Sequence, residues 1–330
     1  MPDVGKLREI LEAAGAGAGD FYLLEGRGRV LAALPAEPAA FVRTLALYRP
    51  QKILARLWVR LIRTLHRAGL QGMPLKKWSW PGAKQRSLFC PGVLLGNPNH
   101  TVARAIFLLK EKGLWVVGKF IPDPQHQDML SREEDLLRVA SRVGGHAPEC
   151  LGWKPCGQGG ALWTRWLEPR TGNPALRDRI QILQDWLLEK TPRPLTEYPA
   201  WKTTGPGEKT PAHVGAALRL RPSLRHGDFA PWNLLKNPSG TWVAVDWEEG
   251  CAEDAPGLDL VHDLLQEAFL IRRAPFGKAA VNILKTLRQP LVAHYLSTCG
   301  WSGNESYLFH WATAFESARR PEIKRWVNAR

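Results

Sequence analysis

Apolar positions recur at two spacings along the 330-residue chain. Between 91 and 169 they come in short runs. PGVLLG, VARAIFLLK, LWVVGKFI, ECLGWKP and GALWTRWLEP each read as a strand. The turn Glu111–Gly113 joins the second and third of these as a hairpin, and the glycines at 157, 159 and 160 separate the last two. One helix is expected among them, from Ser131 to about Val143, opened by a capping box of Ser131 and Glu134. Beyond 170 the spacing is mostly helical. Asn173 and Pro174 open a helix expected to reach Lys190, with Leu176, Ile180, Leu183 and Leu187 on its inner face. Thr191–Pro211 reads as a Pro/Gly-rich loop, and further helices are expected at about Leu258–Arg273, Lys278–Ser297 and Ser306–Trp326. Between loop and helices, SLRHGDFAPWNLL and TWVAVDWEEG are two short apolar strands bracketing polar residues.

The first 80 residues are more mixed. A helix is expected over Val4–Ala14, and a second from about Gln51 to Ala68 behind Pro50, a residue suited to a first helical turn. On that second helix Ile53, Leu54, Leu57, Leu61 and Leu65 form an apolar stripe, and Arg56, Arg60, Arg63 and Arg67 line another face. The resulting expectation is an α+β chain in three parts. These are a basic N-terminal extension (1–80), a small β-rich N-lobe (81–169) and a helical C-lobe (170–330).

Composition narrows the class. With 45% hydrophobic residues the chain can bury a core and does not read as disordered. No apolar run approaches the roughly 18 residues of a membrane span. Asp3, Glu9 and Glu12 stand where a secretory signal would be apolar. The five cysteines, Cys90, Cys150, Cys156, Cys251 and Cys299, form neither a CxxC pair nor a zinc spacing, so they read as thiols of a reducing, cytoplasmic compartment. The net charge of +14 is polarised: 13 Lys or Arg and no acid between Pro38 and Lys110, eight acids and no base between Asn237 and Ile271. The basic helix over 51–68 is read first as an ordinary helix that buries its leucines and solvates its arginines, and second as a peripheral contact with an anionic membrane surface or an acidic partner. Nucleic acid is disfavoured, because no reading motif accompanies the basic residues.

Candidate chemistry sits in one block. His226-Gly227-Asp228 is followed by Asn233, five residues after the aspartate, and by Asp246, eighteen after it. Phosphoryl transfer from a nucleotide needs a group to orient and take the proton of the attacking hydroxyl, and oxygen ligands for magnesium. Asp228 suits the first task. Asn233, a neutral oxygen ligand, and Asp246, a carboxylate behind the apolar run TWVAV, suit the second. A lone HGD would be an ordinary turn. Framed by two apolar strands at these separations it is a specific signal.

LRHGDFAPWNLL followed by WVAVDWEEG resembles the aminoglycoside phosphotransferase and choline kinase family, over about 91–270. The resemblance implies a bilobal protein-kinase-like fold and ATP-dependent phosphorylation of a hydroxyl on a small molecule, a sugar, aminosugar or aminoglycoside-like compound. It makes Asp228 the base, His226 the brace of its loop, and Asn233 and Asp246 the Mg2+ ligands. Such a site also needs a lysine over the phosphates, held by a helical carboxylate. Lys119, alternating with Val117 on one strand face, is that candidate, with Lys110 as competitor. Glu133 shares a helix face with Leu136, Leu137 and Ala140 and is preferred to Glu134 as its partner. Gly96 and Asn97, in LGNPNHT, stand where the phosphate loop would be, without its usual glycines. Trp166, in TRWLEP, stands at the hinge expected to meet the purine. The acidic stretch after Asp246, with Glu248, Glu249 and Asp254, is read as helix caps and solvated faces before a pocket for a cationic acceptor. A non-catalytic pseudokinase or scaffold is the competing reading, and a protein kinase a third.

Overall fold

The structure, a computed structural model, describes residues 4–26, 28–48, 53–70, 73–83, 91–96, 102–168, 174–205, 212–237 and 239–329. The chain is α+β and divides into two compact units, Met1–Asp135 with Pro148–Pro169, and Leu136–Ala147 with Arg170–Arg330.

The first unit is a sheet with helices on both faces. Its elements are α1 (Gly5–Ala13), β1 (Gly19–Gly26), β2 (Arg29–Pro35), α2 (Pro38–Leu47), α3 (Ile53–Arg67), β3 (Lys76–Trp80), β4 (Gly92–Leu95), β5 (Ala105–Glu111), β6 (Leu114–Ile121), the first half of α4 (Asp128–Arg142), β7 (Cys150–Cys156) and β8 (Gly159–Arg165). The eight strands are ordered β3-β1-β2-β4-β5-β6-β8-β7, and every pairing is antiparallel. Alternation decides the faces. Phe21 and Leu23 of β1 pack with Leu7, Ile10 and Leu11 of α1 and with Phe107 and Phe120, whose rings stack at 4.9 Å. Leu24, Ala32 and Leu34 pack on the other side against Phe41 and Leu45 of α2 and Val59 and Ile62 of α3. The segment expected as a separate extension therefore supplies β1, β2 and β3 to the same sheet. Its strands were hidden because GDFYLLEG and RVLAALP bury both faces and lack a clear period of two.

Two details of α4 differ from expectation. It begins at Asp128, a turn before Ser131. The carboxylate of Glu134 is not in a capping box; it accepts the backbone N–H of Trp153 at 2.9 Å.

The second unit holds the rest of α4, α5 (Leu176–Asp185), α6 (Pro199–Thr204), α7 (Ala212–Ala217), α8 (Leu258–Gln266), α9 (Phe276–Leu287), α10 (Pro290–Cys299), α11 (Glu305–Arg319) and α12 (Pro321–Asn328). Three two-stranded pieces complete it: β9 (Arg193–Pro194) with β10 (Arg219–Leu220), β11 (Ser223–Arg225) with β14 (Cys251–Asp254), and β12 (Leu234–Lys236) with β13 (Trp242–Ala244). Each of the last two expected helices is broken in two by a proline, at Pro290 and Pro321. A proline has no N–H to donate and clashes with the preceding turn, but it starts a new helix readily. α5 stops at Asp185, short of Lys190, and the N–H of Leu188 turns to the carbonyl of Pro222. The expected loop after 191 contains α6.

Candidate active site

β11 and the pair β12–β13 set the centre. The register Leu234↔Ala244 continues by one bond, with the N–H of Val245 reaching the carbonyl of Asn233 at 2.9 Å. Asn233 thus lies across from Val245, and Asp246 is the next residue on. The HGD turn is tied to the same place through His226. Its Nε2 donates to the carbonyl of Val245 at 3.0 Å, and its Nδ1 accepts the N–H of Asp228 at 3.2 Å. A neutral ring protonated on Nε2 satisfies both bonds. Burial among Trp186, Phe229 and Trp247 lowers the pKa of this imidazole and keeps it neutral. The structure therefore brings His226, Asp228, Asn233 and Asp246 to one location.

The backbone there is costly. Gly227 has φ +83°, and a Cβ on it would stand 2.2 Å from the carbonyl oxygen of Glu249, so only glycine fits. Asp246 has φ +70°, in the left-handed region that costs a non-glycine residue on the order of 1 kcal/mol. Asp259, in the first turn of α8, holds the turn closed. Its two carboxylate oxygens accept the N–H groups of His226 at 2.7 Å and Gly227 at 2.9 Å.

Asp228 is held on both oxygens. Oδ2 accepts from Nδ2 of Asn233 at 2.8 Å, and the same amide nitrogen donates to the Asp228 carbonyl, also at 2.8 Å. Oδ1 meets Nε2 of His262 at 3.1 Å and Nη2 of Arg320 at 3.0 Å. Burial pushes the Asp228 carboxyl upward, but His262 and Arg320 outweigh it and hold the group well below the ordinary range. His262 lies between two acids, with Nδ1 on Oε2 of Glu316 at 2.9 Å. Burial opposes its charge, yet Glu316 and Asp228 together raise it to about 10, so it stands as an imidazolium. Arg320 also reaches Glu316 and Glu249, and Arg319 reaches Glu249. Asp228 is therefore ionised and fixed in orientation.

His262, Glu316 and Arg320 carry no motif and were not singled out from the sequence, and Glu249, expected on a cap or a solvated face, instead meets Arg319 and Arg320. One signal was present: Asp259, His262, Asp263 and Gln266 recur at i, i+3, i+4 and i+7 in α8, a polar stripe inside a stretch otherwise apolar enough to be wholly buried. The other acids of this region serve the fold. Asp254 pairs with Arg225 at 2.9 Å and accepts the N–H groups of Ala200 and Ala255. Glu253 meets Lys190 and Arg193, and Asp263 meets Arg179.

Among the described residues no cluster of three or more His, Cys, Asp or Glu side chains is arranged for a metal. A magnesium site does not require one. Mg2+ takes hard oxygen donors, usually one or two carboxylates completed by phosphates and water. Because Nδ2 of Asn233 is spent on Asp228, the amide oxygen is the donor atom left for a cation, and Asp246, the residue after Val245 on the adjoining strand end, brings a carboxylate to the donor set. That donor set fits magnesium.

In the first unit, Nζ of Lys119 lies 2.9 and 2.8 Å from the two carboxylate oxygens of Glu133. Lys119 sits mid-strand in β6, paired to Ile106 of β5 and Leu162 of β8, so its position is fixed from both sides. Lys110 is exposed near the hairpin turn. Gly96 does not offer its amide to a phosphate, because that N–H donates to the carbonyl of Arg104 at 3.0 Å. The glycine is needed for close approach, since a Cβ would stand 2.9 Å from the same oxygen. Asn97 lies outside the described residues. The N–H of Trp166 is taken by the carbonyl of Trp115 at 3.0 Å, so it too is unavailable to a base.

No family model matches the sequence, and no curated protein matches it. Solved structures do. An aminoglycoside-3′-phosphotransferase of type VIII is similar at 13% identity and a TM-score of 0.42, over 68% of this chain and 94% of that one. A thermostable mutant of an aminoglycoside phosphotransferase, in ternary complex with ADP and hygromycin B, is similar at 11% identity and a TM-score of 0.43, over 71% and 90%. A choline kinase from Streptococcus pneumoniae is similar at 15% identity and a TM-score of 0.36, over 71% and 89%.

Proposed function

We propose that the chain is an ATP-dependent phosphotransferase that moves the γ-phosphoryl group to a hydroxyl of a small molecule, a sugar, aminosugar or related compound. The observation that carries this reading is Asp228. It is an ionised carboxylate, locked by Asn233, His262 and Arg320, on a turn that His226 ties to the strand end bearing Asp246. A loose phosphoryl-transfer transition state asks for orientation more than for a strong base. Asp228 would orient the acceptor hydroxyl and take its proton as the phosphorus–oxygen bond forms. Asn233 and Asp246 would hold Mg2+, which neutralises charge on the phosphates when bound. The first unit supplies, in this reading, the lysine–glutamate pair that kinases direct at nucleotide phosphates, Lys119 and Glu133.

The similar structures include a phosphotransferase complexed with ADP and hygromycin B, which accords with a nucleotide donor and a small acceptor. A non-catalytic nucleotide-binding module remains the second reading, favoured by the occupation of Asp228 Oδ1 by both His262 and Arg320. The deciding measurement is magnesium-dependent turnover of ATP against a panel of sugars and aminosugars. Asp228→Ala is expected to lower kcat by about 10²–10⁴-fold while ATP binding persists. Unchanged turnover in that variant would remove catalysis from this site. Tight nucleotide binding without turnover on any acceptor would favour the second reading.

A further inference from the structure

α3 hides one apolar stripe and shows another. Val59 and Ile62 pack into the core against α2 and the sheet. Leu54, Leu57, Trp58 and Leu61, at i, i+3, i+4 and i+7, form a second stripe that faces solvent, Leu54 at 82% exposure, Leu57 at 52% and Leu61 at 44%. Arg56, Arg60 and Arg67 are exposed as well, on the face next round the helix from Leu57. Two more exposed apolar residues, Leu70 and Met73, and two exposed lysines, Lys76 and Lys77, follow in sequence.

Exposed apolar residues aligned in this way mark an interaction surface, whereas scattered ones do not. Charge says what covers it. The stripe lies within the stretch Pro38–Lys110, which carries 13 Lys or Arg and no acid. A second copy of the chain would bring those arginines against themselves. A nucleic acid would use the arginines but leave the leucines and Trp58 in water. An anionic bilayer answers both faces: an apolar interior for the stripe and a continuous sheet of negative head groups for the arginines.

We propose that α3 is a docking surface for an anionic lipid bilayer, lying in the plane of the interface. Leu54, Leu57, Trp58 and Leu61 enter the acyl boundary. Arg56, Arg60 and Arg67 reach the head groups, their methylene stems running along the apolar edge. The contact is peripheral, since no described helix is long and apolar enough to cross a membrane. It is independent of the chemistry assigned to Asp228.

The test is flotation of the full chain with vesicles of phosphatidylcholine alone, and of phosphatidylcholine mixed with phosphatidylglycerol. The chain is expected to float with the mixed vesicles only, less so as salt is added. Arg56→Gln/Arg60→Gln/Arg67→Gln is expected to lose on the order of 100-fold in partitioning. Leu57→Ser/Leu61→Ser is expected to lose flotation even at low salt. Both variants change exposed side chains, and circular dichroism with thermal unfolding verifies that they fold. Equal flotation with neutral vesicles, no flotation with anionic ones, or full flotation of the serine variant would overturn the proposal. So would a dimer in light scattering that the serine variant converts to a monomer, because the stripe would then belong to a second copy.

Discussion

α3 and α8 both carry two stripes at helical spacing, and they resolve them in opposite ways. Every residue of α8 is buried, including the polar stripe Asp259, His262, Asp263 and Gln266. α3 leaves Leu54, Leu57, Trp58 and Leu61 in solvent. Neither is what simple burial of apolar surface would produce. In α8 the inversion is answered inside the second unit. Asp259 takes two backbone N–H groups, His262 lies between two carboxylates and Asp263 meets Arg179. Buried polar groups are tolerable only with such partners. In α3 the exposed leucines are not covered by any described residue of the first unit, which points to a partner outside the chain. Buried polarity points inward to chemistry, and exposed apolarity points outward to a partner.

The largest effect that tests this contrast is expected at the centre of the buried stripe. His262→Ala takes the imidazolium from between buried Glu316 and half-buried Asp228, and leaves Arg320 as the cation they still share. Loss of one member of a buried ionic set costs about 3–5 kcal/mol, read as a lowered midpoint in urea unfolding. A cost below about 1 kcal/mol would mean that the cluster is solvated and that α8 is not inverted in the sense argued. Arg320→Gln is next. Arg320 sits at the rim of the cluster and orients Asp228 without being wrapped by it. Turnover is expected to fall about 10²-fold in kcat through misplacement of Asp228, with little change in the KM for ATP. An equal fall in both would assign Arg320 to nucleotide binding instead.

pH offers a subtler probe of the same imidazole. The folded-state pKa of His262 is raised from 6.5 to about 10. A raised value means that the stability it contributes is fully present below pH 6.5 and is lost as pH climbs towards 10. Within that window the native state binds the additional proton, so the unfolding free energy falls by up to about 1.4 kcal/mol per pH unit. His262→Gln is expected to remove that slope. Parallel stability curves for the two proteins between about pH 7 and pH 9 would show that the ring is neutral in the native state.

Legibility in the sequence followed the same division. The strands from Gly92 onward, and the pairing of Lys119 with Glu133 in preference to Glu134, could be read because each follows from one period on one element. His226, Asp228, Asn233 and Asp246 could be placed together because two apolar runs frame them. His262, Glu316 and Arg320 could not. They come from α8, the end of α11 and the residue before Pro321, and nothing local says that His262 and Arg320, up to 92 residues from Asp228, converge on it with Glu316 behind them. β1 and β2 were missed because strands buried on both faces lose their alternation. On α3 the stripe was legible but its direction was not. Hydrophobic periodicity reports that a face exists, and only the neighbouring elements decide which face they cover.

The smallest predicted effect bears on that direction. Leu61 and Ile62 are adjacent, both aliphatic and nearly equal in size, yet Leu61 is 44% exposed and Ile62 is 1% exposed. Ile62 belongs to the buried cluster that also holds Phe41, Leu45 and Leu34, and truncation to Ala is expected to cost about 2–4 kcal/mol from lost transfer energy and the cavity left behind. Leu61→Ser should change the stability of the isolated chain by less than about 0.5 kcal/mol, as for other surface substitutions, or raise it slightly by removing apolar surface from water. Measured in urea without vesicles, a loss above about 1 kcal/mol at Leu61 would show that the chain itself covers the stripe in solution. The helix would then need no partner, and the contrast with α8 would vanish.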